Sequence, residues 1–152
     1  MTELAMKAYL FGSLFTLSNR LQIAGDALDE KMTVKQWLLV AILYKSEEKE
    51  LSLSSLAQRM GSSRQNVKKM VSLLAKQGFL SITQKADDKR YLMIRPTVLC
   101  LEHCKGREAE EERFITTLFS DFTREDLESL LQGFALLSKN IETLEHMYAS
   151  KE

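Results

Sequence analysis

Side chains able to contact nucleic-acid bases or phosphates are concentrated in one short stretch of the sequence, SSRQNVKKM, at residues 62–70. Arginine and lysine contact guanine edges and phosphates, whereas glutamine and asparagine pair with adenine edges. The candidates in this stretch are Arg64, Gln65, Asn66, Lys68 and Lys69. Their types predict a surface that binds double-stranded DNA.

The formal charge of the 152-residue chain sums to zero but is unevenly distributed. Residues 50–95 carry nine Lys and Arg against three Asp and Glu, a net charge of +6. Residues 96–152 carry six against twelve, a net charge of −6. We therefore expect a polyanion to bind the middle third of the chain.

Residues suited to catalysis or metal binding are few. The chain has two histidines, His103 and His146, and shows no nucleophile motif, phosphate-binding loop or metal-ligand set. We therefore predict that the protein is not an enzyme and uses no cofactor or metal. The acidic run at residues 108–112 is interpreted as a solvated helix face.

Cys100 and Cys104 are four residues apart, so on a helix they face the same way and could sense oxidants or bind a metal. Two thiols alone do not make a zinc site, and no matching Cys/His cluster occurs elsewhere in the sequence. The alternative is a pair of buried, inert cysteines, since free cysteine is commonly a core residue. Two cysteines also fit a reducing compartment better than a disulfide framework.

The N-terminal segment, residues 1–22, is apolar but repeatedly interrupted by polar and charged residues. It has neither a basic lead-in nor an uninterrupted apolar stretch that ends in a small-residue cleavage site. We predict no signal peptide and no membrane span, and hence a cytoplasmic protein.

The basic stretch must begin a helix. Ser62 or Ser63 can cap it, and the apolar residues Val67, Met70, Val71 and Leu74 follow at helical spacing. If these face the core, the basic and amide side chains lie on the opposite face. The capped start would also offer free backbone N–H groups to a phosphate. The simpler alternative is an ordinary solvated face of an amphipathic helix.

The neighbouring elements favour the DNA-binding interpretation. A short helix with an apolar face, residues 53–60, ends at Gly61, which suits a tight turn. After Gly78 the pattern alternates, which predicts a two-stranded hairpin with its tip at residues 86–89. The hairpin adds Lys85, Lys89 and Arg90, and Asp88 could hold the Arg90 guanidinium for insertion into a minor groove. Two short helices and a hairpin make a winged helix-turn-helix.

Long helices flank this unit. Leucines spaced three and four apart predict a first helix that ends near Asp29, and Thr33 with Gln36 predicts a capping box for the second. Thr97 can cap a helix to about Ser120. Thr123 with Asp126 opens a last helix whose apolar seam runs to residue 148. We expect these seams to pair with a second copy of the chain, although an intramolecular core is the alternative.

The order of elements, with the segments MTVKQW, LAQRM, SRQNVKKMVSLLAKQGFL and DDKRYLMIRPT, resembles the MarR family of bacterial transcriptional regulators. The resemblance implies a mainly α fold with a small β-hairpin wing, in one domain over residues 1–152. Residues 32–96 would be the winged helix-turn-helix, and residues 1–31 and 97–152 the dimerisation helices. The implied DNA-binding residues are Ser63, Arg64, Gln65, Asn66, Lys68, Lys69, Lys85, Asp88, Lys89 and Arg90.

The resemblance also implies a homodimer that binds a pseudo-palindromic operator and is released by a small ligand. The recognition helices would then lie about 34 Å apart, one turn of DNA. Phe11, Phe15 and Trp37 are candidates for a pocket that binds a small aromatic or hydrophobic effector, although aromatic residues at helical spacing are more often plain core. We therefore predict a repressor controlled by a small molecule or a redox signal. The alternative is a winged-helix module that binds proteins and not DNA.

Overall fold

The computed structural model of the chain describes residues 1–149. Within that range there are six helices and three strands. They are α1 (Glu3–Asp26), α2 (Val34–Lys45), β1 (Leu51–Ser52), α3 (Leu53–Met60), α4 (Arg64–Lys76), β2 (Leu80–Gln84), β3 (Leu92–Pro96), α5 (Val98–Leu118) and α6 (Arg124–Ala149). The predicted fold class, mainly α with a small wing and long terminal helices, is confirmed. The end of the predicted dimerisation segment, residues 150–152, lies outside the described residues.

The helices begin where local capping chemistry places them. At α2 the Thr33 hydroxyl accepts from the Gln36 N–H at 3.2 Å, and the Gln36 side chain accepts from the Thr33 N–H at 3.0 Å. At α6 Thr123 and Asp126 exchange the same two kinds of bond, at 3.1 Å and 2.9 Å. Both predicted capping boxes are therefore present, because each needs only residues three apart.

The turn between α3 and α4 depends on a glycine. Gly61 ends α3 with φ of 60°, in the left-handed region that residues with a Cβ avoid. Ser63 then caps α4, and its hydroxyl accepts from the Asn66 N–H at 3.2 Å. Of the two serines that the sequence offered as caps, the second is used.

The wing is a three-stranded antiparallel sheet in the order β1-β3-β2, not a two-stranded hairpin. The additional strand pairs Leu51 with Ile94 and Ser52 with Met93. With two residues it is too short to show an alternating pattern, so the sequence analysis did not predict it. The predicted hairpin is the β2–β3 pair, in which Ile82 lies opposite Ile94.

Residues 1–108 form one compact unit, which contains the buried core. Leu39, Leu56, Val67, Leu74 and Ile94 are each fully enclosed, so α2, α3, α4 and the sheet pack around a common centre. Helix α1 meets α2 closely at Gly25, where a Cβ would lie 2.7 Å from Val34 side-chain atoms. The core thus fixes α4 by its apolar face.

A second unit begins at Ala109 and includes α6. No α6 residue is buried in the single chain, and Phe134, Ile141 and Leu144 remain about half exposed. On α1 the side chains of Leu10 and Leu17 are 63% and 52% exposed. The apolar side chains named here are therefore exposed and not part of the buried core.

Candidate nucleic-acid interface

Helix α4 turns its polar side chains outward. Arg64, Gln65, Asn66, Lys68 and Lys69 are all exposed. Val67, Val71 and Leu74 on the opposite face are buried in the core. The buried residues hold the helix in place, so the exposed ones form a rigidly supported basic and amide surface.

The start of α4 is suited to an anion. Its first turn contains no acidic residue, so the positive end of the helix dipole is not neutralised by the helix itself. Ser63 is exposed at the cap, and the exposed Arg64 follows it in the sequence. A phosphate placed here would meet both a positive charge and backbone N–H donors.

The wing presents an arginine held by an acid. Arg90 Nε and Nη2 donate to the two carboxylate oxygens of Asp88 at 3.0 Å and 2.8 Å, and the Arg90 N–H donates to Asp88 Oδ1 at 3.0 Å. The hydrogen bond from the Arg90 side chain lowers the pKa of Asp88 and, reciprocally, raises the pKa of Arg90. The Arg90 side chain is nevertheless 87% exposed, so it is oriented without being buried.

The other wing residues lie around this pair. Lys85 Nζ lies 3.6 Å from Asp87 Oδ2, and the Lys85 N–H donates to the Tyr91 carbonyl at 2.9 Å. Lys89 is exposed at the tip. The tip therefore carries three cations within six residues of sequence, with Asp87 and Asp88 as counter-charges of Lys85 and Arg90.

Comparisons with known proteins agree with this arrangement. Residues 32–92 match the model of the MarR family, and this segment contains all the candidate DNA-binding residues. The winged helix-turn-helix segment of the chain belongs to the MarR family. The resemblance of the sequence is thereby confirmed, and so is the prediction that the protein is not an enzyme, because this is a family of transcriptional regulators.

Individual relatives of this MarR protein share its fold. A MarR/EmrR family regulator from Acinetobacter sp. ADP1 has a TM-score of 0.80 at 16% identity, over 91% of this chain and 98% of that one. The Staphylococcus aureus protein MepR, solved as a DNA complex, has a TM-score of 0.74 at 21% identity, over 91% and 97%. The HTH-type transcriptional regulator YdgJ of Bacillus subtilis (strain 168) is 25% identical over 107 residues, which are 70% of this chain and 64% of YdgJ.

One of the three aromatic residues predicted for an effector pocket lines a cavity in the structure. Trp37 lines an open cavity of about 390 Å³ between α2 and the end of α3, with Leu38, Ile42 and Arg59 among its other walls. Phe11 and Phe15 instead contact each other edge to face on α1, with ring centroids 5.1 Å apart, and are exposed. Among the three candidates, Trp37 alone lines this cavity.

The two cysteines of this MarR protein lie on α5 in different surroundings. Cys100 is buried and Cys104 is partly buried. The hydrogen bond with Cys104, together with burial, raises the pKa of the Cys100 thiol. Cys100 therefore stays protonated at neutral pH, and a thiol is a poor nucleophile. Within residues 1–149 no group of three or more His, Cys, Asp or Glu side chains is placed to hold a metal ion.

A buried ionic cluster escaped the sequence analysis. Asp29 Oδ2 lies 2.7 Å from His103 Nε2 and accepts a hydrogen bond from Arg107 Nη1. Burial acts to raise the pKa of Asp29, but the hydrogen bonds from His103 and from the Lys31 N–H, with the charge of Arg107, lower it overall. We call Asp29, His103 and Arg107 the ionic cluster.

Helix α1 ends at Asp26, three residues before the predicted end near Asp29. In the loop that follows, the Asp29 side chain accepts from the Lys31 N–H at 2.8 Å. The sequence held one usable signal. His103 and Arg107 lie at the three- and seven-residue spacing from buried Cys100, which places charged groups on the inward face of α5.

Among the helices of residues 1–149, none combines the length and apolar character needed to cross a membrane.

Proposed function

We propose that this MarR protein is a homodimeric repressor that binds a pseudo-palindromic operator and is released by a small aromatic or hydrophobic molecule. The observation that carries the proposal is the combination of the exposed polar face of α4 with the Asp88-held Arg90 of the wing. In a winged helix-turn-helix these two surfaces face one duplex, α4 towards the major groove and the wing towards the adjacent minor groove.

The residues divide by the kind of contact their chemistry allows. Gln65 and Asn66 can form paired hydrogen bonds with adenine, and Arg64 can do so with guanine, so these three would read sequence. Contacts to phosphates would come from Ser63, Lys68, Lys69, Lys85 and Lys89. Arg90 would enter the minor groove, where a narrow A·T tract attracts a guanidinium.

The unburied apolar stripes of α1 and α6 support the dimer. An exposed apolar surface of this extent on a protein chain usually marks an interface. We propose that residues 1–31 and 97–152 form it and residues 32–96 bind DNA, in one domain. Two recognition helices about 34 Å apart would then meet two half-sites on one face of the duplex.

The cavity beside Trp37 is our candidate for the effector site. Its volume of about 390 Å³ lies within the range of small-molecule pockets, and its walls are largely apolar. Trp37 and Ile42 pack against the core, so this wall is preformed. The cavity favours a small-molecule signal, and the raised pKa of Cys100 argues against a redox signal that begins at that thiol.

A gel-shift titration with the DNA upstream of the protein's own gene tests the proposed function. One segment should bind more tightly than random duplex of equal length across a salt series. If no segment does, sequence-specific regulation is excluded, and the alternative of a winged-helix module that binds proteins becomes the better hypothesis. Size-exclusion chromatography with light scattering should show a dimer.

Single substitutions separate sequence reading from phosphate binding. Lys89→Ala should weaken binding to all duplexes alike and reduce the salt slope by about one. Gln65→Ala and Asn66→Ala should instead change the order of preference among operator variants. Equal losses on every duplex for the latter two would refute their base contacts.

Because Trp37 is the single tryptophan of the chain, its fluorescence reports directly on the cavity. Titration with a panel of small aromatic compounds should change the emission for those that also release the DNA. Ile42→Ala, which enlarges the cavity, should change the binding constant, while Phe11→Ala should not. A compound that releases DNA without changing the fluorescence would place the effector site elsewhere.

A further inference from the structure

We propose that Asp29 is a positioning residue for α4, and that its carboxylate links α5 to the C-terminal end of the DNA-contacting helix. The proposal rests on the proposed function, since it concerns the orientation of the helix that would enter the major groove. Asp29 itself lies in the loop between α1 and α2, outside the exposed face of α4.

The first link runs through the loop. Asp29 Oδ1 accepts from the Lys31 N–H at 2.8 Å, and the Lys31 carbonyl accepts from Gln77 Nε2 at 3.4 Å. Gln77 is the C-cap of α4. The carboxylate that binds α5 therefore also shapes the turn against which α4 ends.

The second link runs directly from the start of α5. The Thr97 hydroxyl donates to the Gly78 carbonyl at 2.6 Å, and the Thr97 N–H donates to the Phe79 carbonyl at 3.0 Å. The ring of Phe79, which is buried, lies 5.1 Å from the ring of His103 between centroids. The segment that follows α4 is thus held by α5 at two places.

The ionic cluster fixes these two links relative to each other. The side chains of Asp29, His103 and Arg107 are 6%, 17% and 10% exposed. A carboxylate this well enclosed keeps its charge only while its partners stay in place, so the loop cannot move away from α5 without a large cost. We name Asp29, Gln77, Phe79, Thr97, His103 and Arg107 the joint.

Because α4 is long, a small tilt at the joint moves the far end of the helix, which would contact the bases, by a larger distance. Its 13 residues span about 20 Å at 1.5 Å per residue. The base-contacting side chains lie in the first turn, at the end far from the joint. A tilt of about 5° would move that end by nearly 2 Å, which exceeds the tolerance of a hydrogen bond.

The test compares Asp29 with Asp26, the last residue of α1. Asp29→Asn keeps an acceptor for the Lys31 N–H but removes the charge that holds α5. Asp26→Asn is the matched control, because Asp26 Oδ1 accepts from the backbone N–H of Val34 at 2.8 Å, a hydrogen bond outside the joint. Both full-length variants are measured for operator affinity and by hydrogen exchange.

We expect Asp29→Asn to weaken operator binding about tenfold, in the range of energetic coupling between linked elements. The amides of Gln77 and Phe79 should exchange faster, while the amide of Leu39 in the core should change far less. Asp26→Asn should leave both measurements near those of the wild type. Gln77→Ala, which changes an exposed residue, should also weaken operator binding, but by less than Asp29→Asn does.

Equal affinities for Asp29→Asn and Asp26→Asn would overturn the proposal. A rise in exchange at Gln77 and Phe79 no larger than that at Leu39 would also overturn it, because this would indicate general destabilisation and not a local joint. The exchange measurement needs no DNA. If the wild type shows no preferred duplex, the proposed function fails while the joint is still decided by exchange at Gln77 and Phe79.

Discussion

Two aspartate–arginine pairs of this protein have the same chemistry and opposite surroundings. Asp88 and Arg90 are two residues apart at the tip of the wing, where the Arg90 side chain is 87% exposed. Asp29 and Arg107 are 78 residues apart, and their side chains are 6% and 10% exposed. An exposed pair contributes little to stability because water screens it, whereas a buried carboxylate is costly once it loses its partner. The wing pair therefore orients the Arg90 side chain, and the buried pair stabilises the fold.

The largest expected effect is on stability and comes from the buried pair. Arg107→Met removes the arginine from the enclosed Asp29 carboxylate and leaves it only His103 and the Lys31 N–H, which should lower the free energy of unfolding by about 3 kcal/mol. Urea denaturation followed by circular dichroism measures this. The matched wing variant is Arg90→Met, which should leave the urea midpoint unchanged. Similar losses of unfolding free energy in Arg107→Met and Arg90→Met would show that the buried pair and the wing pair do not differ in their contribution to stability.

The stability of the fold should depend on pH through the buried Asp29. The pKa of Asp29 is lowered from its ordinary value of 3.8, so the folded state favours the charged form. The stability it contributes is complete above the unfolded pKa and is lost as the pH falls through the lower, folded value. Urea midpoints measured from pH 6 down to pH 3 should therefore converge for the wild type and Asp29→Asn. A gap of constant size would contradict the role assigned to the Asp29 charge.

The wing pair should respond in DNA binding and not in stability. Arg90→Ala removes one cation at the duplex, so the slope of log affinity against log salt should fall by about one. Fluorescence anisotropy on an operator duplex at several salt concentrations gives this slope. Lys105→Ala, which removes an exposed cation from α5, is the control and should keep the wild-type slope. An unchanged slope for Arg90→Ala would mean that the wing does not contact the duplex.

The smallest effect is expected for Asp88→Asn. The amide keeps one oxygen that accepts a hydrogen bond from Arg90, but it cannot form the bidentate contact that two carboxylate oxygens form. The guanidinium is therefore less well oriented, while its charge remains. Operator affinity should fall less than for Arg90→Ala, with an unchanged salt slope. Measured beside Arg90→Ala on the same duplex, a larger loss for Asp88→Asn would mean that Asp88 contacts the DNA partner itself.

The sequence predicted those parts of the site whose signals are local. The face of α4, the Gly61 turn and the Asp88–Arg90 pair each depend on residues within one or two helical turns or one hairpin, so spacing and residue type were sufficient. The strand β1 was missed because two residues show no period. The effector candidates were grouped by residue type alone, and the structure places Trp37 at a cavity that Phe11 and Phe15 do not line.

The sequence by itself determined which helices form, how they are capped and which face of α4 is exposed to solvent. It could do so because helical period and cap geometry depend on residues that are close together in the chain. Only the tertiary structure decided that Asp29 would meet His103, 74 positions away, and that the loop after α1 would bear on the end of α4. Such a contact depends on how separate elements pack together. The spacing of residue types along the chain does not show how those elements pack.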